Sequence, residues 1–256
     1  MMMMQASPIP PHTPYPEAVK LVPQAALSLE EPLLPIQTEL PELPLLQDLL
    51  PVDRLQITKR LRIKNVLFLR GKKNRFSVRS SDQKLLYTIE EENNHWWVGY
   101  FCYGLRPLEL RVMNVQGTEV MRIHRYYSCT ARVFPCQLQH LEVYSPPGQL
   151  IGSVEQQWSA VRPMYIIKNC DGDTLFCING PYVTLSCFRD VHFQILRPDG
   201  TAVGTTSRHW QGLKHALILA PVSDKFGVTF DGSISVEEKG LLLAAALLMD
   251  YMYYDA

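Results

Sequence analysis

Residues 236–254 read VEEKGLLLAAALLMDYMYY, and the fold turns on how this stretch is buried. Leucine, alanine and methionine are strong helix formers, and Glu237 and Glu238 sit where the helix dipole favours acids. From Gly240 to Met249 no polar residue interrupts the run, so a helix here is apolar all round and must be covered all round. A bilayer span takes ~20 apolar residues. This run has ten before Asp250, a length that fits a buried core helix better than a span. A core helix of this kind needs a wall on every side.

The preceding residues supply one. Leu108, Leu110 and Val112 alternate with Glu109 and Arg111, and Val191, Phe193 and Ile195 alternate with His192 and Gln194. Period-two alternation buries one face of a strand and exposes the other. Turn sequences recur at Ser80–Gln83, Asn114–Gly117, Ser145–Gly148, Asn169–Gly172 and Arg197–Gly200, rich in the residue types that accept positive φ. Five such turns predict five hairpins, about ten antiparallel strands, with no helical segment between them. A closed antiparallel barrel wrapped around the C-terminal helix satisfies both patterns.

Composition bounds the rest. The 256 residues are 46% hydrophobic and carry 25 basic and 25 acidic side chains, which excludes full disorder and a uniformly basic nucleic-acid binder. The zero net charge conceals segregation: residues 1–52 carry −5, residues 53–79 carry +9 and residues 80–256 carry −4. Eleven of the 19 prolines fall in residues 1–51, with P-x-x-P spacings that include those starting at Pro11, Pro32 and Pro41. Proline fixes φ and removes backbone donors, so residues 1–51 are expected to be a disordered tail before a folded domain spanning 52–256. Such a tail is either a solvated extension or a ligand for SH3- or WW-type modules. The six cysteines include no C-x-x-C pair and are read as buried free thiols in a reducing compartment.

No catalytic or phosphate-cradling motif is present, so covalent catalysis is not expected and the protein is not read as an enzyme. The basic segment offers more. Arg60, Arg62 and Lys64 alternate with Leu61 and Ile63, and Arg70, Lys72, Lys73 and Arg75 surround Gly71. Clustered cations contribute about 1 kcal/mol each at an anionic membrane surface. Only Phe68 and Phe76 interleave them, too few aromatic side chains for base stacking, which favours anionic lipid over nucleic acid.

Residues 74–255 resemble the phospholipid scramblases, of the tubby-like group. Pro146-Pro147-Gly148 with Ile151-Gly152 is similar to the family's P-P-G-x-x-I-G hairpin. Trp158 and Pro163 fit its W-x-x-x-x-P stretch, and Gly180-Pro181 with Val183, then Asp190-Val191 with Phe193, its G-P-x-V…D-V-x-F segment. Val203-Gly204, His209-Trp210 with Gly212, Phe226-Gly227-Val228 and Asp250-Tyr251-Met252 follow in the family's order. The resemblance implies a barrel of twelve strands around the C-terminal helix. It also implies membrane association, at the plasma membrane with the barrel on the cytoplasmic side. The implied activity is calcium-stimulated, ATP-independent, bidirectional movement of phospholipids between leaflets. An anionic-lipid-binding adaptor without intrinsic scrambling, or a signalling or nuclear regulator, is the alternative.

The sequence departs from the family in three places. The calcium segment retains Asp224 in register and Asp231 as a displaced acid, with Lys225 beside them, which predicts weak calcium binding. Of the palmitoylated cysteine cluster only Cys136 remains, with Cys129 upstream, and one acyl chain anchors marginally. The import segment, here Gly204–Trp210, has lost one of its two lysines, which argues against the nucleus. Surface charge at 60–75 is the expected replacement for calcium and acyl anchoring.

Overall fold

The computed structural model describes residues 44–61, 74–92, 107–128, 138–182, 191–208 and 225–253. The chain divides into two units, residues 1–40 and 41–256, and every described residue belongs to the second.

Twelve strands form a closed antiparallel barrel in which sequence neighbours are spatial neighbours. In chain order they are β1 (Arg54–Leu61), β2 (Asn74–Ser80), β3 (Leu85–Glu92), β4 (Leu108–Asn114), β5 (Glu119–Arg125) and β6 (His140–Tyr144). There follow β7 (Leu150–Gln157), β8 (Met164–Asn169), β9 (Thr174–Asn179), β10 (Val191–Leu196), β11 (Ala202–Arg208) and β12 (Lys225–Phe230). The first and last strands close the wall, with Leu55 opposite Val228 and Ile57 opposite Phe226.

All five expected hairpins form, joining β2 to β3, β4 to β5, β6 to β7, β8 to β9 and β10 to β11. Four of the turns share one bonding pattern, and the β6–β7 turn differs, its inner bond running from the Gln149 N–H to Pro146 O at 3.0 Å. In the β4–β5 turn the Asn114 N–H donates to Thr118 O at 2.9 Å and the Gly117 N–H to Asn114 O at 3.0 Å. One residue of each turn has positive φ: Gln83, Gly117, Gly148, Gly172 and Gly200. Each hairpin also shifts register by one residue beside its turn, the bulge that this turn geometry requires. The two strands beyond the ten read from the turns are β1 and β12, which no tight turn announces.

The C-terminal helix, α1 (Val236–Tyr253), fills the barrel. Residues 241–248 are at most 2% exposed, packed among inward side chains such as Phe76, Tyr87, Tyr165 and Phe176. Its start is fixed by a reciprocal cap: the Glu238 N–H donates to Ser235 Oγ at 3.2 Å, and the Ser235 N–H to Glu238 Oε2 at 2.7 Å. The wall is tailored to the helix at Gly152, where a Cβ would lie 2.2 Å from Lys168 O and 3.0 Å from the Leu241 methyls. None of the helices among the described residues is long and apolar enough to cross a membrane.

The packed unit begins earlier than proline content suggests. Residues 44–51 are not part of an unpacked tail: Pro44–Leu49 is a 3-10 helix whose Leu46 and Leu49 are buried with the core. Lys239 of α1 holds it, its Nζ donating to Leu49 O and Leu50 O, each at 3.0 Å. Burial pushes the Lys239 ammonium below its ordinary pKa, with the nearby Asp53 charge opposing. Cys170, exposed in the β8–β9 turn, and Cys177 are free thiols, so Cys170 departs from the expectation of buried thiols.

Candidate functional site

The barrel has two unlike ends. One carries the five tight turns. At the other, the strand ends flank six connections: 62–73, 93–107, 126–139, 158–163, 180–190 and 209–224. Nearly every residue singled out from the sequence belongs to this second end. Arg62, Lys64, Arg70, Lys72 and Lys73 fall in the connection from β1 to β2, outside the described residues. Cys129 and Cys136, between β5 and β6, and Asp224, before β12, also lie outside them. Arg60 stands on β1 in register with Arg75 on β2, so strand pairing brings the two margins of the basic segment together. The Arg75 side chain pairs with Glu90 of β3, which takes up part of its charge.

Asp231 directly follows β12, and Asp224, outside the described residues, precedes it in the chain. Asp231 supports the turn into α1, its N–H donating to Val203 O at 2.8 Å. Among the described residues, no group of three or more His, Cys, Asp or Glu side chains is placed to hold a metal ion.

The long-connection end presents aromatic side chains to solvent. Tyr126, Tyr127, Trp158 and Tyr182 are exposed there, with Val161 beside Trp158 in the chain. The exposed large apolar residues of the turn end, Leu50, Val115 and Leu150, are aliphatic. Tyrosine and tryptophan pair an apolar ring with a polar handle and favour the boundary between water and hydrocarbon.

Beneath this rim the core is closed by charge. Lys59 Nζ donates to Asp250 Oδ2 at 3.1 Å, both side chains almost wholly buried, and lies 5.4 Å from the Tyr251 ring centroid. The Tyr251 hydroxyl donates to Glu91 Oε2 at 3.0 Å and accepts from Asn74 Nδ2 at 3.3 Å. The buried Arg125 Nε donates to Gln139 Oε1 at 2.7 Å. The network ties the C-terminal end of α1 to β1, β2 and β3, so the Asp250-Tyr251-Met252 motif is a latch between helix and wall. Lys59, Asn74, Glu91 and Arg125 were not singled out from sequence. A signal for Lys59 exists: it continues the inward phase of Leu55 and Ile57.

The outer wall is ionic. Arg122 pairs with Glu109 at 2.9 Å and Glu119 at 2.6 Å, and Lys168 with Glu155 at 2.8 Å. Barrels that cross membranes turn an apolar band outward. These strands turn charges outward and fill their interior with a helix.

The described residues thus form an antiparallel barrel with a helical core, an ionic outer wall and exposed aromatic side chains at one end. The chain matches the Scramblase family over residues 34–256, and it belongs to that family. Phospholipid scramblase 2 of Bos taurus is 31% identical over 213 residues, covering 83% of this chain and 72% of that protein. Phospholipid scramblase family member 5 of Homo sapiens is 28% identical over 234 residues, covering 91% and 84%. A solved structure from Arabidopsis thaliana is 10% identical with a TM-score of 0.40, over 78% of this chain and 92% of that one.

Proposed function

We propose that the protein moves phospholipids between bilayer leaflets, in both directions and without ATP, from the cytoplasmic face of the plasma membrane. The family match across the packed unit is the observation that carries this reading. The rim supports it. Tyr127, Trp158 and Tyr182 suit the headgroup boundary, and the basic connection 62–73 suits an anionic leaflet. Calcium is proposed as a weak stimulus acting through Asp224, and a single acyl chain on Cys136 or Cys129 as an auxiliary anchor. The proline-rich head is proposed to recruit SH3- or WW-type modules.

A second reading is favoured by the filled interior. With α1 packed along the barrel, the described residues leave no passage for a headgroup through the wall. That arrangement suits an adaptor that binds anionic lipid and moves none. One experiment separates the two. The full chain is reconstituted into phosphatidylcholine–phosphatidylserine vesicles with a fluorescent lipid, and leaflet exchange is followed by quenching of the outer leaflet, with and without calcium and in the absence of ATP. Exchange in both directions, faster with calcium, supports the mover. Vesicle binding without exchange selects the adaptor.

A further inference from the structure

Closure of the barrel brings β10, β11, β12 and β1 side by side, and these four strands contain no aspartate or glutamate. The sector from β3 to β7 is the opposite, with Glu90, Glu92, Glu109, Glu119, Glu142 and Glu155 distributed over its strands. In the carboxylate-free sector the outward residues form two cross-strand rows. Arg54, Thr229, Thr205 and Gln194 stand in one register, and Gln56, Gly227, Ser207 and His192 in the next. Gly227 has no side chain, so the wall dips at the centre of the second row. A groove of about 400 Å³ runs over these rows short of Gln194, with Thr58 and Phe226 also lining it, and lies within the size range of small-molecule sites.

The groove's chemistry is specific. Arg54 is exposed and has no ion-pair partner among the described residues, whereas Arg75, Arg111, Arg122 and Arg197 each have one. The Thr205 and Thr229 hydroxyls lie 2.9 Å apart, and Thr229 Oγ1 is also 3.1 Å from Thr205 O, which fixes both side chains. Gln56 Oε1 accepts from Gln83 Nε2 at 2.7 Å, leaving the Gln56 NH₂ as a donor. A planar guanidinium binds phosphate oxygens in pairs, and hydroxyls and carboxamides both give and receive hydrogen bonds. No carboxylate on these strands repels an anion, and Phe226 is the one aromatic residue among an otherwise polar set of lining side chains. We infer that this groove binds a phosphorylated polyol, of the inositol phosphate type. Arg54 and His192 approach the phosphates from opposite sides, and the hydroxyl rows meet the ring hydroxyls. The inference deepens the proposed function by naming a headgroup class, and it rests on that function only for the lipid as source of the phosphate.

The test uses the full chain and the double variant Arg54→Gln/His192→Gln. Both side chains are exposed, and thermal melting checks that the fold is unchanged. Inositol hexakisphosphate is titrated calorimetrically. Flotation compares phosphatidylcholine vesicles containing phosphatidylinositol bisphosphate with vesicles containing phosphatidylserine at equal surface charge. The expected result is binding of the soluble probe that weakens about tenfold in the variant, the size of one lost charge-assisted contact. Loss of the variant's preference for the inositide vesicles is expected with it if lipid is the source. Soluble binding without any vesicle preference keeps the groove and assigns it to a soluble ligand. Equal affinity of variant and wild type, or no binding of the soluble probe together with no preference between vesicles, overturns the inference. Leaflet exchange is not read in either arm, so failure of the mover reading and failure of the groove reading are distinguishable.

Discussion

The two ends of the barrel are built on different principles. At the turn end, local chemistry decides everything: five short connections, each with one residue of positive φ and one bulge, and a helix cap made by two neighbouring side chains. At the long-connection end, the partners in each contact come from distant parts of the chain. Lys59 meets Asp250 across 191 residues and Glu91 meets Tyr251 across 160. The first end specifies the fold and tolerates solvent. The second holds buried charge beneath exposed aromatic side chains, and stability there depends on pairing.

The largest expected effect follows from that dependence. Asp250→Ala leaves the Lys59 ammonium buried without its carboxylate, and breaking a buried pair costs about 3–5 kcal/mol. Replacing both partners by apolar residues, Lys59→Met with Asp250→Leu, removes the charge as well as the pairing and is expected to be near neutral. Urea denaturation of the two variants checks this. A single variant no weaker than the double one breaks the picture of an end closed by charge.

The turn end predicts a smaller cost of a different kind. Gly200 has φ near +87°, and a Cβ added there would have nothing within 4 Å, so Gly200→Ala meets no clash. Its cost is the backbone penalty alone, about 1–2 kcal/mol. Equilibrium unfolding should show this loss while vesicle binding by the folded protein is unchanged. A loss of binding without loss of stability would move function to the wrong end.

The same division explains what can be read from sequence. The hairpins and the core helix are legible because turn residues and apolar periodicity are local signals. The tail boundary is not, because prolines at 41 and 44 mask Leu46 and Leu49, whose burial depends on α1 nearly two hundred residues later. Asp231 is legible as an acid near Asp224 in sequence, but its backbone bond to Val203 appears only once β11 pairs with β12. The carboxylate-free sector is invisible because it exists only once β1 pairs with β12. Among the candidate lipid-binding cations, only Arg75 has a described side chain, and its Glu90 partner is likewise a product of strand pairing.

The smallest expected effect lies on the outer wall of the long-connection end, where polar side chains cluster without deep burial. Glu142 Oε2 accepts from the Tyr144 hydroxyl at 2.6 Å and the Tyr126 hydroxyl at 2.8 Å. Burial pushes the Glu142 carboxyl up, but hydrogen bonds from Tyr144, Tyr126 and His140 outweigh it and hold the pKa below its ordinary value. The Tyr144 phenol is pushed up to about 12, chiefly by its hydrogen bond to Glu142, then by burial and the Glu142 charge. A lowered carboxyl contributes stability that is present above its unfolded pKa and lost as pH falls through the folded value. A raised phenol contributes stability that is present below its ordinary 10.0 and lost as pH rises toward about 12. Glu142→Gln removes the charge at the centre of both effects, so its unfolding free energy should vary less with pH at both extremes. Ultraviolet titration should then show Tyr144 ionising closer to 10.0. Water screens this cluster, and the difference from wild type at neutral pH is expected to stay within about 1 kcal/mol. A loss as large as that of Asp250→Ala would mean that the wall, and not burial beneath the rim, sets the cost of charge at this end.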